Sequence, residues 1–211
     1  MIKKILKENY IYILIDILLI IIFFLIKNSF LYEKVLTLDT KILAIRDIVI
    51  DERFTLFFKN LTFLGEYYIP VIIIVCIFVF IKNKHYFYIN AYNYASSVLL
   101  AGIAKILVNR ERPTFNLIPI PDKYSFPSGH TLTAIVFYIF LCYLATINKK
   151  SRYYLLPIVI LIILFISMSR IYLGVHYYSD VMGAMLLAVP LLLMNINILN
   201  KHVKEKLKWK H

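Results

Sequence analysis

The chain has 211 residues, 61% of them hydrophobic and 17% charged, with 24 Lys and Arg against 12 Asp and Glu for a formal net charge of +12. A soluble domain carries about a quarter charged residues, so a single soluble core is excluded, and the apolar content excludes intrinsic disorder. The basic residues lie in short clusters between apolar runs and form no continuous basic face, which argues against nucleic acid as a partner.

Six apolar segments follow in chain order: 9–26, 67–81, 86–104, 129–148, 153–169 and 181–200. Each is close to the roughly 17 to 25 residues that cross a hydrocarbon core as a helix. The predicted fold is therefore all-α, a polytopic six-transmembrane-helix bundle. Segments two and five are short, so their helices are expected to run into neighbouring residues, with Lys105 and Arg170 snorkelling from helix ends. The first segment follows Lys3, Lys4 and Lys7 and is succeeded by Lys27-Asn28-Ser29-Phe30-Leu31, without a small-residue cleavage site, so it reads as an uncleaved anchor. Asp16 inside it is an intramembrane carboxylate that needs a headgroup or a cross-helix hydrogen bond.

Residues 27–66 carry Leu36, Leu38, Ile42, Leu43, Ile45, Ile48 and Val49 at helical spacing among balanced charges. They read as one or two short amphipathic helices on the outer face, covering the bundle. Cys76 and Cys142 both sit in apolar runs and offer neither a disulfide framework nor a metal spacing.

Six spans put both termini on one side. That side holds Lys3, Lys4, Lys7, Lys82, Lys84, Lys149, Lys150, Arg152, Lys201, Lys204, Lys206, Lys208 and Lys210 against Glu8 and Glu205. The positive-inside rule makes it cytoplasmic. His85, His202 and His211 lie there beside lysines and receive no role.

Three polar clusters remain, and the topology brings all of them to the outer face: Lys105 with Arg110, Arg112 and Pro113; Pro127 to His130; and Ser169 and Arg170 with His176 and Asp180. Lys105, Arg112 and Arg170 together put three cations near one point at the edge of the hydrocarbon, where an anion offsets both desolvation and mutual repulsion. Arginine's fork fits phosphate oxygens and lysine adds a point charge. Ser128 and Gly129 open a helix after a proline, so their N–H groups are expected to form a phosphate cradle at the positive end of its dipole. His176 and Asp180 are four apart, a spacing that lets a carboxylate fix one imidazole nitrogen and leave the other as nucleophile or base. His130, on another helix, is placed to give a proton to a leaving oxygen.

These residues resemble the type 2 phosphatidic acid phosphatase superfamily, which includes the vanadium haloperoxidases. Lys105, six residues and Arg112-Pro113 match its first motif; Pro127-Ser128-Gly129-His130 match its second; Ser169-Arg170, five residues, His176, three residues and Asp180 match its third. The motifs span 105–180, and the six-span layout extends the likeness to a single membrane-embedded domain over 1–211. The resemblance implies that His176 takes the phosphoryl group, Asp180 orients it and His130 protonates the leaving group, with Lys105, Arg112, Ser128, Gly129 and Arg170 holding phosphate. It implies no metal and no cofactor, in keeping with the lack of a carboxylate cluster suited to Mg²⁺. Only 13 residues separate Pro113 from Pro127, leaving little room for a lid.

The implied protein is a bacterial inner-membrane enzyme with both termini cytoplasmic, acting at the outer leaflet on a lipid phosphate or lipid pyrophosphate. Undecaprenyl pyrophosphate is the first expectation, followed by phosphatidylglycerophosphate and phosphatidic acid. A non-catalytic lipid-phosphate binder or transporter is the alternative of another class; it needs the cations but not both histidines and Asp180.

Overall fold

In a computed structural model of the protein, the backbone is described for residues 2–120, 122–147 and 150–208, and the side chains for 8–120, 122–147 and 150–201. Among the described residues eight helices follow in order: α1 (Ile2–Lys27), α2 (Leu31–Ile48), α3 (Glu52–Thr62), α4 (Tyr68–Phe80), α5 (His85–Val108), α6 (Gly129–Ala145), α7 (Arg152–Tyr172) and α8 (Tyr178–Lys208). A 3₁₀ turn at Phe63–Gly65 joins α3 to α4. No strand occurs among the described residues. Of the basic residues used to orient the chain, Lys3, Lys4, Lys7, Lys149, Lys204, Lys206, Lys208 and Lys210 fall outside those with described side chains, as do Glu205, His202 and His211.

All six predicted segments are helices, though not all are full spans. Glu8–Lys27, α5, α7 and Tyr178–Lys201 are long and apolar enough to cross a bilayer. Segment five extends as expected, to Tyr172. Segment two does not. Helix α4 has 13 residues, about 20 Å at 1.5 Å per residue, and reaches spanning length only together with Glu52–Gly65 across a 45° bend. The extended backbone at Glu66 stops the upstream helix from continuing into α4. At 17 residues α6 is also short. It lies at the centre, packed against α5, α7 and α8, and its Leu132, Val136, Phe137 and Phe140 are fully buried. The assembly is that of a multi-pass membrane protein.

Asparagines tie the helices together inside the bundle. Asn195 donates to Asn93 Oδ1 (2.8 Å), Asn93 to the Val136 carbonyl (3.1 Å) and Asn197 to Asn9 Oδ1 (2.8 Å). Such bonds hold membrane helices where no hydrophobic force acts between them. Asp16 is buried in α1, and its Oδ1 has no hydrogen-bond partner.

The segment 27–66 does form two short helices, but α2 is turned the other way from a helix that buries its apolar stripe. It exposes Leu38, Ile45 and Ile48 and buries Asp39 and Arg46. The reason is the presence of charged partners beneath it, described below. Two glycines make the adjoining loops possible. Gly174, after α7, has φ +74°, and a Cβ there would stand 2.2 Å from the Phe115 carbonyl. Gly183 in α8 lets the Phe126 ring approach to where a Cβ would lie 2.2 Å away, which seats the chain just before Ser128.

Candidate active site

Four helix ends and two loops meet at one end of the bundle. Lys105 is in the last turn of α5, which closes at Asn109 in the left-handed conformation (φ 50°), one that Asn tolerates. Arg112 follows on the loop to α6. Arg170 is in the last turn of α7, His176 in the α7–α8 loop and Asp180 in the first turn of α8. Ser128 caps α6: its backbone is extended and its Oγ accepts from the Thr131 N–H at 3.4 Å.

Lys105, Arg112, Gly129, His130 and His176 line one cavity of about 400 Å³, together with Glu66 and Asp122. Its remaining wall is largely apolar or small: Tyr67, Tyr94, Val98, Ala101, Gly102 and Thr133. The sequence-selected residues are thus brought together, with Ser128, Arg170 and Asp180 buried alongside.

Asp180 is fully buried and four groups converge on it. Arg110 Nη1 donates to Oδ1 (2.7 Å); the Tyr177 N–H (2.8 Å) and the Ser125 hydroxyl donate to Oδ2. His176 Nδ1 lies 3.6 Å from the same Oδ2, longer than a hydrogen bond. On the other side of the ring, His176 Nε2 is 3.3 Å from Arg112 Nη1. Burial pushes the His176 imidazole down to about 3, against the opposing pull of Asp180. The ring is therefore neutral at physiological pH and has one nitrogen with a free lone pair.

The cations are already engaged. Lys105 Nζ donates to Asp122 Oδ1 (3.1 Å) and to the Tyr124 carbonyl (2.7 Å). Arg112 donates to Asp122 Oδ1 (2.6 Å), the Asp122 carbonyl (2.8 Å) and the Val175 carbonyl (2.5 Å). Burial favours protonating Asp122, but Arg112 and Lys105 outweigh it and hold the carboxyl below its ordinary range. Arg170 is 1% exposed and donates to Thr62 Oγ1 at 2.6 Å, while its Nε has no partner. It does not snorkel as expected. α3, pinned at Thr62, encloses it.

The predicted cradle needs one correction. The Ser128 N–H donates to the Asp180 carbonyl at 3.2 Å, so it is committed to joining α6 and α8. Gly129 keeps its place in the first turn, where N–H groups have no acceptor within the helix.

Four acidic or basic residues at the site carried no motif. Asp122 bridges two cations, and Glu66 Oε1 lies 3.2 Å from His130 Nε2. That bond, more than opposing burial, holds Glu66 below the usual carboxylate range. Arg110 links Asp180 to Asp39 on α2, donating to Asp39 Oδ2 at 2.6 Å while Tyr177 stacks on its guanidinium at 4.2 Å. Burial disfavours charge on Arg110, but Asp180 and Asp39 together raise its pKa. Asp39 in turn accepts from the Ser179 N–H (2.9 Å) and hydroxyl (2.6 Å). Arg110 adjoins the first motif, and its alternation with Arg112 was the one available signal. Among the described residues no group of three His, Cys, Asp or Glu is placed to hold a metal ion.

The pattern of the PAP2 superfamily matches residues 86–204. Phosphatidylglycerophosphatase B of Bacillus subtilis (strain 168) is 33% identical over 99 residues, 44% of this chain and 48% of that protein. Undecaprenyl-diphosphatase of Sulfolobus acidocaldarius is 24% identical over 140 residues, 64% of this chain and 65% of that one. The matches therefore span about half to two thirds of these relatives. A solved structure, a transmembrane PAP2-type phosphatidylglycerolphosphate phosphatase from Bacillus subtilis, superposes with a TM-score of 0.76 at 22% identity, covering 89% of this chain and 96% of that one. At that identity the likeness is one of fold.

Proposed function

We propose, since the chain belongs to the PAP2 superfamily, that it is a membrane lipid phosphate phosphatase acting through a phosphohistidine. One observation carries this reading: two imidazoles with different partners face a single cavity that is cationic at one end and apolar along its wall. A binder or transporter needs the cations alone; a neutral His176 backed by a buried carboxylate supports turnover.

The phosphate enters where Asp122 now sits, against Lys105 and Arg112, with Arg170 adding positive charge from behind. Gly129 N–H and the Ser128 hydroxyl, which accepts from Thr131 and keeps its own proton, complete the donor set. The His176 Nε2 lone pair attacks phosphorus. The bond to the leaving oxygen breaks with its electron pair, and that oxygen takes a proton from His130. Asp180 holds Nδ1–H, fixing the tautomer and stabilising the ring as it gains positive character. Water then attacks phosphorus as His130 takes its proton, the P–N bond breaks back to His176, and phosphate leaves. The charge of the transferred group is met by side-chain cations throughout, with no metal or cofactor assigned.

The lipid tail lies along Tyr94, Val98, Ala101 and Gly102. Phosphatidylglycerophosphate is the first substrate on the Bacillus likeness. Undecaprenyl pyrophosphate, ranked first from the sequence, is the second reading and draws on the Sulfolobus match; phosphatidic acid follows. One domain over 1–211, with its motif core at 105–180, sits in a bacterial cytoplasmic membrane with the site facing outward.

Phosphate release from the three lipids in matched micelles, with EDTA present, tests the proposal. Wild-type protein is expected to turn over and to be inhibited by vanadate, and His176→Ala is expected to fall to background. An active His176→Ala protein, or stoichiometric binding without turnover, overturns it.

A further inference from the structure

The phosphate cations create a difficulty for the proton donor. Lys105 and Arg112 share the cavity with His130, and Arg170 lies close enough to act electrostatically on Glu66, the partner of His130. Burial, more than any single charge, disfavours a charged His130 imidazole; Arg170 and Lys105 add to it, and Glu66 opposes them without reversing the balance. A neutral imidazole has no acidic proton to give at physiological pH. Glu66 stands at the break between the 3₁₀ turn and α4, with its Oε1 3.2 Å from His130 Nε2. It lies outside the three motifs and outside the stretch matched by the family pattern.

We propose that Glu66 is a positioning residue that holds His130 Nε2–H and opposes burial and the neighbouring cations, favouring the imidazolium that acts as the acid of the first step. This rests on the phosphatase reading above and deepens it. The carboxylate accepts Nε2–H and balances the ring charge. When the P–O bond breaks, one ring proton passes to the leaving oxygen and the other stays on the nitrogen facing Glu66; the neutral ring then accepts the proton of the attacking water. The bend between α3 and α4 acquires a purpose on this view. A continuous helix could not present residue 66 to the start of α6.

The groups facing the pair are Arg170 from α7, Lys105 from α5, Arg112, Asp122 and His176 from the loops, and Tyr67 and Tyr68 at the start of α4. Among these the acidic partner in contact with His130 is Glu66. Removing its charge lowers the proton affinity of His130, so the alkaline limb of kcat/KM, where the acid is lost, moves to lower pH.

The test compares wild type, Glu66→Gln and Glu66→Asp on two monoesters, dodecyl phosphate and 4-nitrophenyl phosphate. An alkoxide must be protonated as it leaves; a nitrophenolate leaves unaided. For Glu66→Gln at pH 7, kcat/KM on the alkyl ester is expected to fall about 10²-fold, the low end of a general-acid contribution, and on the aryl ester by less than about fivefold. Glu66→Asp should restore part of the alkyl activity. The ratio of the two esters does not depend on how much of the variant folds. Equal losses on both with an unmoved pH profile, or no loss, overturn the role of Glu66 while leaving the phosphatase reading intact. A wild-type protein that releases phosphate from neither ester nor any of the three lipids overturns both.

Discussion

On the proposed mechanism, Asp122 occupies the position that the substrate's phosphate takes. Its carboxylate is 47% exposed yet bridges Lys105 and Arg112, so two of the site's cations are satisfied by an internal anion on a loop. Lys105 and Arg112 themselves are 15% and 3% exposed, so the pair is worth more than a surface ion pair; an incoming phosphate displaces Asp122 by compensating the same two cations while solvent takes up the freed carboxylate. Asp122→Asn should therefore tighten inorganic phosphate as a product inhibitor by up to about fivefold, the equivalent of roughly 1 kcal/mol. Inhibition constants for phosphate in the two proteins check this, and weaker inhibition in the variant would give Asp122 a substrate-binding role instead. Asp122 and Glu66 also mark where sequence reasoning ended at this scale. Lys105, Arg112, His130, Arg170, His176 and Asp180 were legible because the fixed spacings of three short motifs tie them together. A lone acidic residue in a loop has no such spacing, and only the folding of distant segments reveals what it faces.

Among the elements, α2 departs furthest from its periodicity. Its apolar residues predict an inward stripe, yet Asp39 is the residue that is fully buried, paired with Arg110, which in turn holds Asp180. Two buried carboxylates share one guanidinium, and the pattern of hydrophobic residues contains no trace of that because the deciding partner lies 71 positions away. Arg110→Gln leaves both carboxylates uncompensated, and breaking a buried ion pair from one side typically costs 3 to 5 kcal/mol. Adding Asp39→Asn removes one of the stranded charges. The double variant is therefore expected to be more stable than Arg110→Gln alone, by roughly 0.5 to 3 kcal/mol, the range for coupled residues in one network. Thermal unfolding in detergent measures the difference. A double variant less stable than the single one would mean that α2 is held by its other contacts. The same element scale separates what helix length could and could not say. The start and end of α7 followed from charge and hydropathy, but the break that shortens α4 lies at Glu66, whose extended backbone no length or hydropathy count foretells.

For the molecule as a whole, the net charge of +12 divides by side. The motif end of the bundle is close to balanced: Arg110 faces Asp39 and Asp180, while Arg112 and Lys105 face Asp122. Among the described residues, Lys82, Lys84, Lys150, Arg152 and Lys201 lie toward the opposite end. Retention of such clusters on the cytoplasmic side orients membrane proteins, and on the proposed orientation the site meets the outer leaflet. Lys123 and Lys150 are exposed positions at the two ends, neither of which touches the cavity. In a Cys76→Ser, Cys142→Ser background, Lys123→Cys should react with a membrane-impermeant maleimide on intact spheroplasts, and Lys150→Cys only after lysis. The reverse pattern would put the phosphate site in the cytoplasm. It would then draw on lipids of the inner leaflet, and undecaprenyl pyrophosphate delivered from outside would fall from the list of substrates even if the chemistry at His176 were unchanged.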